Sequence, residues 1–217
     1  MRTPLRNTLL LAGLVLGLGS ASTASATLLN LPMTFPLLSY DNGGHTSYDA
    51  MTDAFRVDAF PIAIRLSAAS SPRFITPVPQ SIEAFTIAIE VDDAGNLTGG
   101  SAGDDLSIIG TVVLDGMTKT GTLLTGEIVG GGFGWQNNAA TDLFDFQFVV
   151  TGGELASYFN EIIGVTLQSE RSTFNGEFAE SFRGGAKGTL GNVPEPASLV
   201  LLAAGVFGLG AFGRKRN

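Results

Sequence analysis

Apolar and polar residues alternate with a period of two along much of the chain, the pattern of strands that rest one face on a core. Between residues 83 and 91, Phe85, Ile87, Ile89 and Val91 fall on one face, with Thr86, Ala88 and Glu90 on the other. The Asp92-Asp93-Ala94-Gly95-Asn96 run that follows holds residues tolerant of positive φ, so a hairpin or tight corner is expected there. Residues 106–114 and 123–129 are β-branched runs separated by Asp115-Gly116 and a Thr/Gly-rich stretch of hairpin type. Phe144, Phe146, Phe148 and Val150 alternate with Asp145, Gln147 and Val149 in the cleanest core strand of the sequence. Residues 48–57 read as strand, turn and strand, and the β pattern resumes over 62–66 after Pro61.

Three stretches read differently. Leu155, Tyr158, Phe159 and Ile162 stand at i, i+3, i+4 and i+7 between glycines, which predicts one or two helical turns over 154–162. Phe174, Gly176 and Phe178 predict a late strand, and the glycines of 184–188 a flexible lead to the C-terminal tail. Short strands with frequent turn signals and abundant glycine predict an all-β fold, an antiparallel β-sandwich or flattened barrel with one short helix.

Both ends of the chain stand outside this pattern. Residues 1–26 combine basic Arg2 and Arg6, an apolar run over 9–18 and a small-residue close at Ala24-Ser25-Ala26, the build of a secretory signal peptide cleaved after Ala26. At the other end, Val193-Pro194-Glu195-Pro196-Ala197 runs into an uncharged segment over 197–213 and then Arg214-Lys215-Arg216. Seventeen residues at about 1.5 Å each sit at the lower limit for a hydrocarbon core about 30 Å thick, so a transmembrane helix is expected. The three basic residues should stay cytoplasmic as a stop, leaving the bulk of the chain outside. Pro194 and Pro196 fix φ and remove two donors, which keeps the residues before the helix extended and open to an enzyme cleft.

This three-part tail resembles the PEP-CTERM sorting signal of exopolysaccharide-producing Gram-negative bacteria. The resemblance implies recognition by exosortase, an integral-membrane transpeptidase of the cysteine type, with cleavage near residues 194–196 and sorting to the outer surface. The domain between the ends, residues 27–192, also resembles a recurrent group of PEP-CTERM proteins. That likeness is carried by Tyr40-Asp41-Asn42-Gly43-Gly44, the 48–57 hairpin, Asn96-Leu97-Thr98-Gly99-Gly100, Gly103-Asp104-Asp105-Leu106, Leu123-Leu124-Thr125-Gly126-Glu127, Phe144-Asp145-Phe146 and Gly185-Ala186-Lys187-Gly188-Thr189. It implies no catalytic residue.

Charge narrows the range of partners. Five of the 12 basic and one of the 20 acidic residues lie in the targeting ends, which leaves the domain 7 basic and 19 acidic residues and a formal charge of −12. Such a surface repels phosphates and disfavours nucleic acid. The absence of cysteine in an exported chain removes disulfides and thiol chemistry, so packing must supply the stability.

Candidate chemistry is sparse. His45, the single histidine, has Asp41, Ser47 and Asp49 close in sequence, but no Gly-x-Ser-x-Gly elbow occurs. One histidine and no cysteine leave no Cys/His zinc site. Trp135, behind the Gly130-Gly131-Gly132-Phe133-Gly134 run, reads either as a sugar-stacking platform or as an aromatic anchor folded onto the sheet edge. Asp92, Asp93 and Asn96, and Asp104 with Asp105, offer oxygen ligands of the kind Ca²⁺ takes, or serve as solvated turn acids.

The expectation is a non-enzymatic exported protein with no catalytic residues and no cofactor beyond a conceivable Ca²⁺. It would be held transiently in the inner membrane, processed by exosortase, and then placed at the cell surface or in a biofilm matrix, touching exopolysaccharide in a structural or adhesive role. Two alternatives follow: a carbohydrate-binding module using Trp135, and a two-carboxylate glycoside hydrolase.

Overall fold

A computed structural model describes residues 27–78, 80–138 and 141–194, with the side chain of Asn42 left aside. The expected signal peptide and the tail from Glu195 onward lie outside the described residues. Eleven strands follow in order: β1 (Thr34–Asp49), β2 (Ala54–Arg65), β3 (Arg73–Phe74), β4 (Thr76–Pro77), β5 (Phe85–Val91), β6 (Leu97–Gly100), β7 (Leu106–Leu114), β8 (Met117–Gln136), β9 (Thr141–Gly152), β10 (Ile162–Glu170) and β11 (Phe182–Asn192). Every pairing is antiparallel. The order β2-β1-β11-β10-β9-β8-β7-β5 closes on itself through a β2–β5 pairing, so eight strands form a complete ring. Of the two architectures that the alternation allowed, the strand pairing gives the barrel. Closure removes the open edges at which β chains associate.

The alternation that predicts the strands also fills the barrel. Phe85, Ile87, Ile89 and Val91 of β5 are buried, as are Phe144, Phe146 and Phe148 of β9. They pack with Phe55, Val57, Leu106, Ile108, Val165 and Leu190 into one core. β7 occupies the expected stretch residue for residue. Its turn into β8 places Asp115 at φ 53° and Gly116 at φ 76°, both left-handed, as the hairpin turn with two positive φ angles requires. β8 and β9 are longer than the alternation alone predicts. β8 runs through the glycine stretch 130–132 with its register shifted between Ile128 and Phe133, so this stretch is a bulged strand instead of a loop.

Three local expectations are corrected. The predicted helix over 154–162 is one 3-10 turn, Ala156–Tyr158, after which Ile162 opens β10. Leu155 and Phe159 are buried, so the apolar spacing is real, but it serves a single turn capping the barrel. The predicted late strand at Phe174, Gly176 and Phe178 is an irregular segment, because Gly176 turns at φ 95°. Phe174 and Phe178 instead fold into the barrel mouth against Trp135, Phe144 and Phe182. Residues 184–188 are no flexible lead: they lie within β11, paired with β1, and from Lys187 onward with β10 as well. A Cβ at Gly188 would overlap the Thr166 carbonyl oxygen, so glycine here marks a close backbone approach.

The barrel thus has two distinct ends. The plugged end, where β11 begins, gathers the β1–β2 hairpin, the β5–β6 turn and the 171–181 segment with its two phenylalanines. The exit end, where β11 finishes, gathers the start of β1, the end of β2, the β3–β4 segment, the β7–β8 hairpin and the 3-10 turn. A strap formed by residues 27–33 climbs the outer wall from one end to the other. A Cβ at Gly134 would sit 2.7 Å from the Thr27 carbonyl oxygen, and one at Gly164 would sit 2.9 Å from Leu31 Cδ1. Between them the Asn30 amide donates to the Asp145 carboxylate at 3.0 Å. Burial raises the Asp145 pKa, and the Asn30 and Leu29 amides partly offset that rise.

Candidate functional site

The functional motif that the sequence singles out begins where the last strand ends. Asn192 closes β11 and is buried. Its side-chain amide donates to the Phe35 carbonyl at 3.0 Å and its Oδ1 accepts from the Asn160 amide at 2.8 Å. The Val193 amide donates to the Ile162 carbonyl at 3.1 Å. Backbone and side chain therefore hold the chain on both flanks up to Val193, and Pro194 is the first exposed residue beyond. Of the expected sorting motif, Val193 and Pro194 are described, while Glu195, Pro196, Ala197 and the basic stop Arg214, Lys215 and Arg216 lie outside the described residues. No helix among the described residues is long and apolar enough to cross a membrane.

The other candidates fall in three separate places on the barrel, with Trp135 and the Asp92 to Asn96 turn together in one of them. The indole N–H of Trp135 donates to the Gly95 carbonyl at 3.2 Å, and the ring meets Phe174 and Phe178 edge-on with centroids 5.2 Å apart in each case. Trp135 therefore touches the Asp92 to Asn96 turn. In that turn, one Asp92 oxygen accepts from the Ala94 amide at 3.0 Å and the Asn96 amide at 2.8 Å, and the other accepts from the Asn96 side chain at 3.2 Å. Donation from Asn96 is the main cause of a lowered Asp92 pKa.

Asp104 and Asp105 lie beyond the other end of β6. Asp104 accepts from the Thr151 hydroxyl at 2.7 Å. Asp105 is buried and accepts from the Ser101 amide at 2.6 Å and the Ile128 amide at 2.9 Å. Glu127 on β8 hydrogen-bonds to Asp105, and burial, together with the neighbouring charge, raises its pKa. Both side chains border a groove of about 330 Å³. Carboxyl groups in hydrogen-bond contact stand closer than the separation of at least about 5 Å that glycoside hydrolases hold between theirs. Among the described residues no group of three or more acidic or histidine side chains gathers that could hold a metal ion.

His45 faces Asp58 across the β1–β2 pair at 3.7 Å, and Arg56 donates to the same carboxylate at 2.8 Å. The partner lies across the hairpin, out of reach of a reading limited to residues 41–49. Ile162 and Asn192 are the neighbours of the motif that sequence reasoning missed: Ile162 reads there as the last residue of the predicted helix, and Asn192 as the end of the domain with no role of its own.

No curated protein and no solved structure is significantly similar to the chain. Its C-terminal segment, residues 192–216, matches the PEP-CTERM protein-sorting motif. With β11 delivering that motif directly from the barrel wall, the chain is an all-β protein that carries the PEP-CTERM signal of exosortase-sorted extracellular proteins.

Proposed function

We propose that the barrel is the exported cargo of the sorting tail, a non-enzymatic structural or adhesive protein of the cell surface or extracellular matrix. In this reading residues 1–26 direct export and residues 197–213 hold the chain briefly in the inner membrane. Exosortase then cuts near residues 194–196 and the barrel passes to the exterior, where exopolysaccharide is its surroundings.

The observation that carries the reading is the sorting-motif match, joined to the finding that the matched segment begins at the last residue of a strand held on both flanks. The candidate residues add weight to a non-catalytic role, because Asp92, Asp105 and Trp135 each spend their polar groups on the barrel itself. Deleting the exosortase gene should leave the full-length chain in the membrane fraction. Unchanged processing and release in the deletion strain would overturn the sorting role.

A further inference from the structure

We infer that the exit end of the barrel is a lipid-docking surface, resting on the anionic bilayer that the sorting tail spans, with Phe74 and Val113 against the lipid and Arg65 and Arg73 beside them. The inference rests on the membrane-anchored stage proposed above and adds an orientation to it.

The tether is the first ground. Val193 is hydrogen-bonded to Ile162, Pro194 follows it exposed, and the uncharged segment of the sequence starts at Ala197. Three residue steps reach at most about 10 Å. A barrel joined so closely to its anchor has its exit end at the membrane interface.

What that end displays is the second ground. The described residues include five strongly exposed large hydrophobic side chains. Met51, 94% exposed, marks the plugged end. Phe74, Val113 and Met117, at 77%, 51% and 55%, belong to the exit end, and Val78 follows on the same segment as Phe74. Phe74 pairs with Ala63 of β2, and Thr76, two residues on, pairs with Thr111 of β7, two residues before Val113. Phe74 is also in line with the exit strand: Thr189 pairs with Ser39, Ser39 with Ala63, and Ala63 with Phe74. These residues, with Leu37 and Arg65, border an outer groove of about 380 Å³.

Charge is the third ground. The domain has a formal charge of −12, yet residues 59–82 contain no acidic residue and two arginines, Arg65 and Arg73. Arg65 lies 5.8 Å from the centre of the Phe35 ring, and the Phe35 carbonyl holds Asn192. Aromatic side chains with basic neighbours suit the lipid headgroup layer, and basic residues are drawn to anionic lipid. Asp115, Glu154 and Glu161 of the same end sit on the β7–β8 hairpin and around the 3-10 turn, so contact with an anionic surface is drawn to the β2–β3 side, where the two arginines stand.

Because the chain has no cysteine, single labels are clean. Full-length Phe74→Cys, Met51→Cys and Leu202→Cys would each carry an environment-sensitive fluorophore and be reconstituted into phosphatidylcholine/phosphatidylglycerol vesicles containing brominated lipid. The expected result is quenching and a blue shift at 202 and at 74, with neither at 51. Arg65→Gln with Arg73→Gln in the Phe74→Cys chain should reduce the quenching at 74 and abolish its dependence on phosphatidylglycerol. Quenching at 202 with position 74 behaving like 51 would overturn the docking while leaving the anchor intact. No quenching at 202 would overturn the anchored stage and the docking with it. Energy transfer between labels at 74 on two chains, without lipid quenching there, would give the surface to a second copy and also overturn the proposal.

Discussion

At the plugged end the barrel is closed by its own side chains, whereas at the exit end it keeps exposed apolar residues and sends out a strand. Phe174 and Phe178 turn inward and join Phe55, Phe144 and Phe182 in a network of aromatic contacts with centroids 4.5 to 6.0 Å apart. Phe74 and Val113 turn outward. The difference teaches that one kind of residue serves two purposes in the same small barrel: stability where a protein partner covers it, and contact with surroundings where none does. Hydrophobicity alone does not separate the two uses, nor does the end alone: Leu155 and Phe159 are covered at the exit end and Met51 is exposed at the plugged one, so the contrast lies in how many apolar side chains each end leaves uncovered.

The largest test of this contrast is Phe144→Ala. The ring is buried and meets Phe55, Phe133, Phe174 and Phe182, so its loss should cost about 3–5 kcal/mol by urea unfolding. A cost below about 1 kcal/mol would show that the plug does not stabilise the barrel.

Next comes Asn192→Ala, which strands the Phe35 carbonyl and the Asn160 amide at the exit end. A loss of about 1–3 kcal/mol is expected, with altered exosortase cleavage if a firmly held Val193 presents the motif.

A smaller effect should come from the strap that links the two ends. The native Asp145 pKa is raised by burial, so the folded state binds this proton more tightly than the unfolded chain. Its contribution to stability is full below the ordinary carboxylate range and is lost as pH rises through the raised native value. Asp145→Asn should flatten that fall in thermal midpoints measured across mildly acidic pH. A wild-type midpoint that instead rose over this window would contradict the sign.

The smallest effect on stability belongs to Phe74→Ser, expected within about 0.5 kcal/mol because the ring is 77% exposed. A large loss would mean that the ring packs on the barrel and that the contrast between the ends is false.

The parts of the fold that could be read in advance share one property: a clean alternation bounded by turn residues. β5, β7 and β9 meet that description, and so do the Asp115-Gly116 turn and the 48–57 hairpin. β11 does not, because Gly184, Gly185, Gly188 and Gly191 erase its alternation. Those glycines answer to neighbours far along the chain, such as the Thr166 carbonyl against Gly188 and Leu37 against Gly191, and nothing local announces them. β10 was hidden for a different reason. Leu155 and Phe159 cap the core around one 3-10 turn, and Ile162 already opens a strand, so two elements together imitate one helical face.

The candidate site was legible in its motif and illegible in its attachment. The proline pair and basic stop could be read directly, but the grip of Phe35, Asn160 and Ile162 on Asn192 and Val193 depends on barrel closure.

That closure has a consequence for the order of events during export. β11 is the last strand to cross the membrane, yet it fills the gap between β1, the first strand, and β10, with Thr34 meeting Asn192 across nearly the whole domain. Until residue 192 has emerged, β1 and β10 both present unpaired backbone edges, and the ring cannot close. Contacts so distant in sequence form slowly, and open edges invite association with other chains. The ring can therefore close only once the chain up to the sorting tail has emerged.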